Sequence, residues 1–182
     1  MSRKRRTLHE DDAWPLNDRW GMAQAAYSAE DDIFTKLYPQ EKKIVTQEGG
    51  ERMIDAIYRR YAPTRERPRL DLRWYGAKKY KAGDTCGHYD VVRHVIWGPG
   101  GVMDVPTLIH EIAHSLTWRQ GWRAHGPEFM RFVIELHCWH LRIPLREGLE
   151  DVREDHFLEV PTKLRLGHDP TNVRWIRKKR RA

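Results

Sequence analysis

LIHEIAHSLTWRQGWRAHGPEFM, residues 108–130, holds two histidines four apart with a glutamate after the first, and a third histidine eleven residues further on. Read as a helix, His110 and His114 leave the same face one turn from each other, so both imidazoles can converge on one ion. Glu111 is rotated about 100° around the axis from His110, which sets it beside such an ion and not among its ligands. That is the place for a general base working on a water. Apolar Ile109, Ile112, Ala113 and Leu116 supply a face for burial. A pure core helix gains nothing from three titratable groups in five positions, because burying them unpaired costs several kcal/mol.

The flanks define this helix. Asp104 is placed to cap it, Pro106 suits its first turn, and no breaker follows until Gly121. A second helix starts near Pro127, with Phe129, Phe132, Val133 and Leu136 as its apolar stripe. A catalytic zinc usually takes three protein ligands and keeps a fourth position open. His125, at the start of the second helix, is the leading third ligand. Glu135 is its rival, since some zinc peptidases take their third ligand from a glutamate on a following helix; the simpler reading of Glu135 is a solvated helix residue.

These residues resemble a known family. HEIAH, ten further residues and then HGPEF are similar to the SprT-like metalloprotease domain, the group that includes the Spartan-type DNA-protein crosslink proteases. His110, Glu111, His114, His125, Gly126 and Phe129 match the family's H-E-x-x-H and H-G-x-x-F positions one by one. CGHYDVVRHVIWGPGG, ending at Gly101, resembles the strand pair that leads into the family's active-site helix. The likeness covers roughly residues 30–142 and is most specific in its last third. It implies an α+β, zincin-like fold with N-terminal helices, a small sheet of about three strands, and an active-site helix followed by a second helix. It further implies one zinc ion and endopeptidase activity. A metzincin pattern would need a histidine where Gln120 stands.

Outward from this centre, GERMIDAIYRRYAP sets Met53, Ile54, Ile57, Tyr58 and Tyr61 at helical spacing before Pro63, and DDIFTKLY forms a shorter helix before Pro39. RLDLRWY alternates Leu70, Leu72 and Trp74 with charged residues, the period of a half-buried strand. Tyr89–Trp97 reads as a second strand, and HFLEV near residue 156 as a candidate third. The expected organisation is an arm over 1–27, a metallopeptidase domain over 28–150, and a C-terminal extension over 151–182.

Charge is concentrated at the ends. Of 33 Lys and Arg, four lie in SRKRR (2–6) and six in RWIRKKRR (174–181); the remaining 23 face 26 acidic residues, so the body is near neutral. Arg174, Arg177, Lys178, Lys179, Arg180 and Arg181 are therefore the candidate nucleic-acid contacts, acting on phosphates in a salt-sensitive way. Trp175 among them suits either base stacking or docking on its own domain. Many members of the resembled family carry a four-cysteine zinc module, which Cys86 and Cys138 alone cannot build.

The two cysteines also exclude a disulfide framework, and the charged N-terminus lacks the apolar stretch of a signal peptide. With no run of 18 apolar residues, a membrane partner is not expected. An intracellular, cytoplasmic or nucleoid-associated monomer acting on a protein substrate fits best. Two alternatives stay open: a nucleic-acid-binding or virion-associated protein whose zinc is structural, and a regulatory peptidase cleaving one repressor-like partner.

Several polar residues have simpler readings. His137, Cys138 and His140 give incomplete ligation for a second metal. His88 and His94 read as surface or hydrogen-bonded groups, and Tyr89 as a half-buried packing residue.

Overall fold

The computed structural model describes residues 43–73, 87–98, 103–118 and 125–156. The arm over 1–27, the helix expected over 31–38, Trp74, Cys86, Trp175 and both basic termini lie outside the described residues. Among those described, four helices and a three-stranded sheet make a mixed α+β fold.

Helix α1 spans Gln47–Tyr61. Thr46 caps it, its hydroxyl accepting from the Gly49 amide at 3.1 Å. Ile54, Ile57 and Tyr58 are buried, as their helical spacing requires, while Met53 and Tyr61 pack at the margin of the core. Each fully buried isoleucine stabilises the fold by roughly 1.5–3 kcal/mol through its apolar surface. Gly50 lets this helix lie directly on its neighbours: a Cβ there would fall 2.3 Å from Leu70 Cδ2 and 2.8 Å from Val45 Cγ1.

Strand β1 is Arg69–Asp71, β2 is His88–Asp90 and β3 is Val95–Trp97. The order is β1-β3-β2, with β1 parallel and β2 antiparallel to β3. Leu70, Ile96 and Tyr89 stand side by side in register and are all buried. The run over 89–97, read by residue type as one strand and by resemblance as part of a strand pair, is two strands joined by a turn. The Asp90 carboxylate accepts from the amides of Val92 and Arg93, both at 3.0 Å, and His94 takes a left-handed φ of 54°. An aspartate reaching its own backbone two and three residues on stabilises a turn against strand continuation. The third strand thus comes from this hairpin. Of HFLEV, the candidate third strand, His156 closes a helix, and residues 157–160 lie outside the described residues.

Helix α2, Val105–Thr117, follows. The Asp104 carboxylate accepts from Thr107 N at 2.9 Å, and a proline lies in the first turn. Every residue from Leu108 to Thr117 is buried, so α2 runs through the centre between β2, β3, α1 and the next helix. It ends at Thr117, before the expected stop at Gly121. Helix α3, Pro127–Leu141, buries Phe129, Phe132, Val133 and Leu136. Arg142 closes it in a left-handed conformation, φ 59°, with Ile143 N reaching back to Cys138 O at 3.0 Å. Helix α4, Leu145–His156, packs on α3 so closely that a Cβ at Gly148 would meet Cys138 Sγ at 2.5 Å. It runs continuously through residue 150.

Candidate metal centre

Three ring nitrogens meet where α2 passes the start of α3. His110 Nε2 lies 2.9 Å from His114 Nε2, and His125 Nε2 lies 3.2 Å from each of them. The helical spacing brings the first two together. The third arrives because His125 adopts φ 56° just ahead of the Gly126 N-cap. That left-handed backbone costs a non-glycine residue about 1–2 kcal/mol, and it persists only where the surroundings hold it. All three histidines are buried.

No assignment of protons makes this triangle comfortable without an ion. Each Nε2 either carries a hydrogen or presents a lone pair, so among three in mutual contact at least two must be alike. Two hydrogens would then collide, or two lone pairs would oppose each other. A shared cation turns all three lone pairs into attractive contacts. A tetrahedral ion with nitrogen ligands at about 2.0–2.1 Å sets those ligands about 3.3–3.4 Å apart, close to the observed spacing. His110, His114 and His125 are therefore near enough to hold one metal ion, and they are the group of that kind among the described residues.

The wall of the site is aromatic. Phe129 stacks on His114, centroids 4.4 Å apart at 26°, and stands edge-on to His110 at 5.3 Å and to His125 at 5.2 Å. Glu111 is buried beside the start of β2, where a Cβ on Gly87 would lie 2.9 Å from its Cγ. Only a bare backbone at residue 87 fits over that side chain.

The helix carrying the pair is anchored from α1 and from the loop after it. Ser115 donates to Ile112 O at 2.7 Å, so its single proton is used and the Tyr58 hydroxyl is the donor in their 3.0 Å contact. Arg65 donates to Leu116 O at 2.7 Å and to Ser115 O at 3.0 Å, closing the helix end with one guanidinium. Sequence reasoning missed Arg65 and Gly87. Nothing in the text TRERPR marks one arginine as the partner of a helix fifty residues away.

Glu135 is not part of the cluster; Arg131 holds its carboxylate at 2.8 Å on α3. Tyr89 is bonded through its hydroxyl to His94 Nδ1 at 2.7 Å, and His94 Nε2 donates to Glu66 O at 3.0 Å. His94 is thus a hydrogen-bonded structural group. His137, Cys138 and His140 share α3 without forming a ligand group among the described residues, and burial pushes the Cys138 thiol up to about 11, which keeps it protonated. The basic residues Arg174, Arg177, Lys178, Lys179, Arg180 and Arg181 lie outside the described residues.

In comparisons with known proteins, no family model, no curated protein and no solved structure matches the chain. No helix among the described residues is long and apolar enough to cross a membrane.

Proposed function

We propose that the protein is a zinc-dependent endopeptidase of the SprT-like, zincin kind, acting on proteins at or near DNA. What carries the reading is the convergence of three histidine nitrogens with a glutamate immediately after the first of them on the same helix. Three ligands among the described residues suit a catalytic ion, since structural zinc is almost always closed by four. His110, His114 and His125 would hold the zinc, which supplies Lewis acidity toward a peptide carbonyl and lowers the pKa of a water. Glu111 takes the proton from the attacking water and delivers it to the departing amine. Burial of Glu111, with Gly87 packed over its Cγ, supports this role by limiting how far the side chain can swing. Strand β2 is an edge of the sheet among the described residues and packs against α2. A substrate lying along it in extended form would gain backbone hydrogen bonds with little sequence preference. Contact with DNA belongs to the basic termini in this reading.

The test uses the full chain, zinc-loaded, with fluorescein-labelled casein and with self-cleavage as readouts. Glu111→Gln is expected to keep about one zinc per chain and to lose cleavage by roughly 10²–10⁴-fold. Cleavage by Glu111→Gln at the wild-type rate would overturn the assignment. Zinc binding with no cleavage by either protein would instead favour an ion that only holds the fold. Single-stranded DNA is expected to raise the rate at low salt, with the gain fading as salt increases.

A further inference from the structure

We infer that Phe129 is a positioning residue for the metal ligands, its one ring setting the orientation of all three imidazoles. The inference rests on the metal-site reading above and concerns how the apo chain prepares that site.

The three imidazoles and the Phe129 ring form a closed group of four. Centroids of His110 and His114 are 4.6 Å apart, those of His114 and His125 4.8 Å, and those of His110 and His125 5.2 Å. Phe129 lies 4.4, 5.3 and 5.2 Å from His114, His110 and His125, so its distances match those within the triad. It stacks on one imidazole and meets the other two edge-on, both favourable aromatic geometries. Phe129 is 1% exposed and occupies the first turn of α3, four residues after His125.

The terminal torsion of a histidine is broad and roughly two-fold, so a ligand ring with no neighbour samples many orientations. A metal must then freeze three rings, and that ordering reduces affinity. A single plane against all three does the ordering during folding. Hydrophobic bulk is not enough for this role, since a flexible aliphatic chain fills the volume without fixing a plane. Phe132 provides the contrast: it is as buried on the same helix, and its ring stands edge-on to Tyr61 at 5.4 Å.

The experiment compares wild type, Phe129→Leu, Phe129→Met and Phe132→Leu as full chains. Zinc affinity is measured by chelator competition, the ligand field by the absorption spectrum of the cobalt-substituted protein, and the fold by the metal-free thermal midpoint. Both Phe129 variants are expected to bind zinc about 10-fold or more weakly, with an altered cobalt spectrum, as supporting groups around ligands generally do. Phe132→Leu is expected to lose thermal stability yet keep zinc affinity within about threefold and an unchanged spectrum. The methionine variant, near phenylalanine in reach and adaptable in shape, keeps the test decisive if leucine leaves the core too loose. Wild-type affinity and spectrum in both Phe129 variants would overturn the inference alone, as would an equal loss in Phe132→Leu. A wild type that binds no zinc would overturn the metal reading itself and this inference with it.

Discussion

Removing the Arg65 guanidinium should loosen the end of α2 beside His114. Its two hydrogen bonds, at 2.7 and 3.0 Å, go to the carbonyls of Leu116 and Ser115 in the last turn, beyond the Trp118 amide that closes on His114 O. Hydrogen bonds with a charged partner are each worth about 1.5–3 kcal/mol, and leaving a buried carbonyl without its donor adds a desolvation cost. Arg65 is half-buried, so water recovers part of the loss. Arg65→Ala should therefore lower stability by about 2–3 kcal/mol, measured by urea denaturation of the metal-free chain. Arg65→Lys can place one donor where the fork placed two, and should lose about half as much. Because Ser115 follows His114 directly, fraying of that turn should also weaken zinc binding several-fold in the alanine variant. Stability of Arg65→Ala within about 0.5 kcal/mol of wild type would refute the clamp, since that is the range of ordinary surface substitutions. A lysine variant as stable as wild type would refute the two-bond arithmetic.

Gly87→Ala puts a methyl 2.8 Å from Thr107 Cγ2 and 2.9 Å from Glu111 Cγ and Met103 Cε; cleavage of labelled casein should fall while zinc affinity stays near wild type. Equal effects on both would show that the whole site had moved. Saturating zinc at about a thousand times its dissociation constant should raise stability by about 4 kcal/mol in wild type and far less in His125→Ala, read from denaturation with and without EDTA. The Cys138 thiol, raised by burial to about 11 from an ordinary 9, holds its proton in the folded state at pH values where the unfolded chain releases it. Stability that is complete below pH 9 should thus decline between pH 9 and 11 by at most about 1.4 kcal/mol per pH unit. Cys138→Ala should flatten that part of the wild-type curve, and identical curves would mean the thiol ionises freely.

Local order was written plainly in the chain. Three-four spacing picked out residues that α1 and α3 bury, although α2 is buried on every side from Leu108 to Thr117, and Asp104 and Pro106 marked where α2 begins, because caps and helical periodicity depend on residues within one or two turns. The pairing of His110 with His114 followed from the same geometry. For the third ligand, spacing alone left His125 and Glu135 in competition, since the separation of two helices is not encoded in either one. The packing of α3 against α2 and the left-handed backbone of His125 bring its nitrogen to the other two, while Arg131 engages Glu135 elsewhere.

The strands were less legible. The run from Tyr89 to Trp97 is rich in β-forming residues, and Asp90 folding back on the amides of Val92 and Arg93 divides it. What the sequence by itself determined is the helices α1, α2 and α3, the strand at Leu70, and a chemically suggestive pair of histidines with a glutamate between them; the helix Leu145–His156 was not foreseen. Tertiary structure alone decided which groups from distant segments meet them: the imidazole of His125, the ring of Phe129, the bare backbone of Gly87 and the guanidinium of Arg65. Those contacts arise from the way whole elements pack, and packing depends on side chains far apart in the text acting together.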